Sequence, residues 1–197
     1  LSAGISLLQG DEHEGEDEEE HADGDPHVWT DPINVLAWVK NAEQALSQAD
    51  PANAAVYQAN AAAYSQQLIE LDSWIQQQVS LVPAERRKLV MDHKILGYFA
   101  ARYGFEVVGA VIPGFNTLSE PSAQELAALE DAIRDLGAPA IFVSFDVSPA
   151  LAQRVASDTA IQLIPIYSGS LSQPGGPADT YINFTRYNVS AIVEALR

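Results

Sequence analysis

The chain has 197 residues, 47% of them hydrophobic, with 27 Asp plus Glu against 10 Lys plus Arg, for a formal net charge of −17. This length admits one large domain, or one small domain with part of another, and the apolar content suffices for a real core. So acidic a chain lacks the bases needed to displace counterions from a nucleic acid or to settle on an anionic membrane, and the absence of cysteine excludes disulfides, zinc–thiolate sites and cysteine nucleophiles.

Cations are the partners that this charge favours, although high charge also simply keeps a protein in solution. Any metal would have to be held by His, Asp, Glu or water. No apolar run reaches the roughly 18 to 20 residues needed to span a bilayer. The segment Leu1 to Leu8 lacks the basic start and cleavage pattern of a signal peptide, so the chain is expected to be soluble as it stands.

Asp11 to Asp25 contains ten acidic residues, two histidines and no base. Such a composition buries too little apolar surface to offset chain entropy, and it predicts a mobile loop. From Pro32 the pattern changes. Val35, Leu36, Val39, Ala42 and Leu46 recur at helical spacing, and Asp50-Pro51 stops this helix and starts another. The second helix carries an apolar stripe of Tyr64, Leu68, Leu71, Ile75 and Val79 before Pro83. About 28 residues at 1.5 Å each would extend about 40 Å, enough to link two lobes.

After Arg87 short apolar runs alternate with amphipathic stretches. "KLVMDH", "FEVVGAVI", "AIFVSFD" and "IQLIPIY" read as strands; "KILGYFAARYG", "SAQELAALEDAIRDLG", "SPALAQRVASDT" and "DTYINFTRYNVSAIVEAL" read as helices. Gly104 and Gly137 stand where helix C-caps belong. This alternation predicts βα repeats on a parallel sheet, a Rossmann-like α/β lobe. The expected organisation is therefore a remnant of an N-terminal lobe over 1–50, with the acidic loop at 11–25, a linking helix over 51–83, and a C-terminal α/β lobe over 84–197.

Ligands of open α/β sheets sit beyond the carboxyl ends of the strands. His93 follows Val90-Met91-Asp92 at such an end, which makes it a candidate ligand. A histidine that caps the next helix or is bonded within the core fits the local sequence equally. His27 lies in a turn stiffened by Pro26 and Pro32. That turn could preorganise an imidazole for a metal, with Asp25 or Asp31 holding its other nitrogen, or it could be an ordinary turn between acids. His13 and His21 belong to the acidic loop, where they either scavenge zinc weakly or merely decorate a solvated linker.

Ser144, Asp146 and Asp179 are hydroxyl and carboxylate groups near loops, but no Gly-x-Ser-x-Gly elbow or ordered Ser/His/Asp arrangement surrounds them. "SQPGGP", Ser172 to Pro177, lacks the spacing of a phosphate-binding loop.

"DPHVWTDP", "DHKILGYFAARYGFEVVG", "AIFVSFDVSP" and "DTYINFTRYNVSAIVEAL" together resemble the cluster A-I solute-binding proteins of bacterial zinc and manganese ABC transporters, in the right order over about residues 25 to 197. The acidic, histidine-containing loop is similar to that of the zinc-type members. The resemblance implies two α/β lobes joined by a long helix, a metal held in the cleft, and His27 and His93 as two of its ligands. It also implies a further histidine from earlier in the first lobe, to which no residue here corresponds, so the chain reads as the last two thirds of such a protein. Many members carry an aspartate ligand in a Thr-Asp-Ser-Leu-like stretch, where this chain has Ser168-Gly169-Ser170-Leu171. The complete protein is then expected to use three histidines with water or another group, a set that suits zinc before manganese, and in this chain the site is expected to be incomplete, with two histidines that bind weakly.

The function expected is that of an extracytoplasmic receptor, not an enzyme, which passes a divalent metal ion to a membrane ABC permease and acts as a monomer. A metal-dependent hydrolase, with an open coordination position that activates water, is a second reading. A surface adhesin or structural protein is the third.

Overall fold

Four strands, β1 (Lys88–Met91), β2 (Glu106–Ala110), β3 (Ala140–Ser144) and β4 (Gln162–Ile166), pair in parallel in the order β2-β1-β3-β4. They belong to a computed structural model whose described residues are 1–9, 24–113, 115 and 120–197. The helices are α1 (Pro32–Ala49), α2 (Ala54–Val79), α3 (Gly97–Tyr103), α4 (Ala123–Leu136), α5 (Ala150–Thr159) and α6 (Tyr181–Leu196). Two compact units result, Leu1–Gln76 and Gln77–Arg197, and the boundary falls inside α2.

The second unit is an α/β lobe of βα repeats, as the alternation predicts. Its central strand β3 is buried at every position, which is the behaviour of a parallel strand covered on both faces. Ile141 and Val143 pack into one core with Leu126, Leu129 and Ile133 of α4 and Val155 of α5. The pleat turns Phe142, fully buried, to the opposite face. The outer strand β4 carries Pro165 opposite Val143, and an edge position tolerates the missing N–H.

Local chemistry sets the helix ends. Ser122 accepts from the Glu125 N–H while the Glu125 carboxylate accepts from the Ser122 N–H, a complete capping box that starts α4. Gly104 and Gly137 close α3 and α4 with φ of 72° and 64°, left-handed values that glycine adopts without strain.

In the first unit the N-terminal residues are tied to α1: Trp38 Nε1 donates to Ser2 Oγ, and the Asn41 amide donates to the Leu1 and Ala3 carbonyls. The 26 residues of α2 extend about 39 Å, and its stripe is buried at Leu68, Leu71, Ile75 and Val79. Among the described residues no helix is long and apolar enough to cross a membrane.

Three details differ from the sequence expectation. The apolar stripe of α1 does not hold to its end, because Leu46 is 48% exposed. The acidic segment does not run exposed up to Asp25: that residue is only 2% exposed, its N–H donates to the Leu8 carbonyl, and its carboxylate accepts from His27. Residues 11–23 of that loop lie outside the described residues. Finally, "KILGYFAARYG" becomes helical only at Gly97, because the backbone after β1 is engaged elsewhere. Ile95 N–H donates to the His93 carbonyl, and the Leu96 N–H points at Met91 Sδ.

Candidate functional site

His27 and His93 are held by the same device, once in each unit. In the first, Asp25-Pro26-His27 leads into a short 3-10 turn at Val28–Thr30, followed by Pro32 at the first position of α1. Asp25 Oδ1 accepts from both the His27 backbone N–H, at 2.9 Å, and its Nδ1, at 2.8 Å. Trp29 packs edge-on against the imidazole at 5.3 Å. Asp31 serves the helix instead, since its carboxylate accepts from the Ile33 N–H and caps α1. Of the two acids that could orient His27, Asp25 is the one that does.

In the second unit β1 ends at Met91, and Asp92 and His93 follow it at the carboxyl edge of the sheet. Asp92 Oδ1 accepts from the His93 backbone N–H and from its Nδ1, both at 2.8 Å. The other oxygen, Oδ2, accepts from the Ser144 N–H at 2.6 Å, just where β3 ends. One carboxylate thus clamps β1 to β3 and fixes the imidazole. Asp92, His93 and Ser144 are each 5% exposed or less. Burial pushes the Asp92 carboxyl upward, but the bonds from His93 and Ser144 outweigh it and hold the group below the usual carboxylate range.

Both rings therefore share a chemical state. A carboxylate at Nδ1 makes that nitrogen the donor, so in the neutral ring the lone pair lies on Nε2. An aspartate behind a histidine is the arrangement that orients metal-ligating imidazoles and raises their basicity. A cation needs an imidazole held in place, and both rings are so held.

The remaining candidates separate clearly. His13 and His21 lie outside the described residues. Ser144 stands beside the Asp92–His93 pair, but among the described residues no hydrogen bond joins its buried Oγ to a histidine base of the kind that would activate a nucleophile. Asp179 accepts from the Gly175 N–H and the Asn183 amide, and these bonds lower its pKa from the ordinary value. It steadies the loop before α6. "SQPGGP" folds on itself, with Ser172 Oγ so close to Gly176 that an added Cβ would meet it at 2.6 Å.

Asp146 and Ser168 were not assigned a role by the sequence. The Ser168 hydroxyl donates to Asp146 Oδ1 at 2.8 Å, joining the ends of β3 and β4. Among the described residues no three His, Cys, Asp or Glu side chains gather into a group that could hold a metal ion.

Comparison with known proteins gives these features a context. Residues 1–195 match the family described as ZnuA, zinc-uptake complex component A, periplasmic. The chain is 35% identical over 179 residues to the manganese-binding lipoprotein MntA of Halalkalibacterium halodurans, covering 90% of this chain and 59% of the relative. It is 30% identical over 199 residues to the manganese ABC transporter substrate-binding lipoprotein PsaA of Streptococcus mitis, covering 100% of this chain and 62% of that one. Among solved structures, the periplasmic zinc-binding protein TroA from Treponema pallidum superposes with a TM-score of 0.83 at 30% identity, over 94% of this chain and 67% of the other. The chain thus spans about three fifths of the length of the relatives MntA and PsaA.

Proposed function

Because this chain belongs to the ZnuA family of periplasmic metal-binding proteins, we propose that it captures a divalent transition-metal ion outside the cytoplasm and delivers it to the membrane permease of an ABC importer. His27 and His93 bind the ion through Nε2, and zinc is the preferred cargo before manganese. The observation that carries this reading is the repeated aspartate–histidine pair, Asp25–His27 and Asp92–His93, each buried and each bonded at 2.8 Å through Nδ1. Nothing in a receptor need be made or broken; it has only to bind and release.

The choice of zinc follows from donor chemistry. Imidazole nitrogen suits zinc, whereas manganese favours sites rich in oxygen. Manganese remains the second reading, because relatives named for manganese and a neighbour named for zinc both resemble the chain. Release is favoured in acid, since a ligating imidazole must be neutral and protons compete with the metal for Nε2. The relatives' names, which include periplasmic proteins and lipoproteins, support an extracytoplasmic location.

Calorimetric titration with zinc and with manganese tests the reading, using the parent chain, His27→Ala and His93→Ala. Each substitution is expected to weaken zinc binding at least tenfold. Unchanged binding in both variants would remove the two histidines from the site and leave the acidic segment as the metal-binding element.

A further inference from the structure

We propose that Asp146 is a metal-facing carboxylate of the second unit and the residue that tunes its preference between zinc and manganese. This inference rests on the metal-binding function proposed above. It starts from three adjacent strands, β1, β3 and β4, whose carboxyl ends form one edge. At that edge His93 follows β1, Asp146 follows β3 and Ser168-Gly169 follows β4.

The ladder sets which strand ends are neighbours. Met91, the last residue of β1, pairs with Phe142, so β3 runs two residues further, and Asp92 Oδ2 accepts from the Ser144 N–H at its end. Ser144 pairs with Ile166, and Phe145 N–H donates to the Ile166 carbonyl, so Asp146 stands opposite Ser168. His93 stands two residues beyond Met91 and Asp146 two beyond Ser144, in the turns that follow these neighbouring strands. An imidazole and a carboxylate reaching from such positions can share one cation, whose bonds to them are about 2 Å long.

The carboxylate is oriented, and room is kept for it. Ser168, 5% exposed, holds Oδ1 through its hydroxyl. Asp146 itself is exposed, so its other oxygen, Oδ2, is open to an incoming ion. An added Cβ at Gly169 would approach that same Oδ2 to 3.1 Å, closer than an ordinary van der Waals contact. Glycine brings no donor atom of its own, and its bareness leaves the space that the Asp146 oxygen occupies. The edge therefore offers an imidazole and an oriented carboxylate oxygen.

A hard carboxylate oxygen matters more to manganese than to zinc, which imidazoles already suit. Removing it should therefore shift selectivity and not simply abolish binding. The test uses the full 197-residue chain with manganese chloride, bound ion being read from the loss of the free Mn²⁺ paramagnetic resonance signal, and zinc chloride as competitor. Asp146→Ala is expected to weaken manganese at least tenfold and zinc by a smaller factor, with its melting temperature in chelator close to that of the parent. Combining it with Gly169→Asp moves the carboxylate to the neighbouring loop and should recover most of the manganese affinity. Should Asp146→Ala melt early, Asp146→Asn keeps an acceptor for Ser168 without the charge and carries the same prediction.

Manganese binding that survives Asp146→Ala while His93→Ala loses it overturns the role of Asp146 and leaves the proposed function standing. A double variant as weak as Asp146→Ala overturns the spatial exchange between positions 146 and 169. If the parent binds neither ion, or if no histidine variant changes binding, both this inference and the function beneath it fall.

Discussion

Replacing Asp92 by alanine removes the acceptor of three hydrogen bonds, from the His93 N–H, the His93 Nδ1 and the Ser144 N–H, all at 2.6 to 2.8 Å. Alanine offers nothing in return, and the site is too buried for bulk water to replace the lost oxygens. Each backbone donor left buried without an acceptor costs about 1–3 kcal/mol, and the ring loses its anchor as well. The expected total is about 3–5 kcal/mol, against a whole-domain stability of about 5–15 kcal/mol. Asp92→Asn should cost less, roughly 2 kcal/mol, because its single carbonyl can still serve either His93 or Ser144 while its amide opposes the other donor. Urea unfolding in the presence of chelator, followed by far-ultraviolet circular dichroism, measures both. Metal affinity should fall about 10–100-fold in either variant, the usual loss when the partner behind a ligating histidine is removed. An Asp92→Ala chain within about 0.5 kcal/mol of the parent would refute the claim that this carboxylate clamps β1 to β3.

Other outcomes follow from the same geometry. Because the folded Asp92 carboxyl is held below its ordinary value of 3.8, its stabilising contribution is complete above that value and is lost as pH falls through the folded pKa; the gap in melting temperature between parent and Asp92→Ala should therefore be constant near neutrality and shrink only below about pH 4. Gly109→Ala would drive a Cβ to 2.7 Å from Leu129 Cδ1, and overpacking of this kind should cost about 1–3 kcal/mol in urea unfolding; a neutral result would show that Leu129 yields freely. Ser122→Ala breaks the capping box of α4 and should cost about 1 kcal/mol, with metal binding unchanged in the same titration.

The sequence carried the repeating elements well, because their signals are local. A run such as Ala140 to Ser144 is apolar enough to be read as a buried strand, and Gly104 and Gly137 mark helix ends by their own backbone freedom. The position of His93 beyond β1 was legible for the same reason. What Asp92 does was not, since its second oxygen meets an N–H 52 residues away, and only the pairing of β1 with β3 brings them together. Asp146 and Ser168, 22 residues apart, were hidden likewise. The signal that could have revealed Asp92 is its repetition: an aspartate stands just before each of the two turn histidines, in Asp25-Pro26-His27 and in Asp92-His93. Composition misled at Asp25, where an acidic run suggested solvent exposure while hydrogen bonds to His27 and to Leu8 drew the residue inside.

The most direct test of metal capture by the two histidines is a long-range proton–nitrogen correlation spectrum of the imidazoles, recorded with and without zinc. Binding as proposed should move the Nε2 signals of His27 and His93 together, at one zinc concentration, while both Nδ1 atoms stay protonated against Asp25 and Asp92. A spectrum in which those two rings stand still and only His13 and His21 respond would contradict the account and place the metal in the acidic segment.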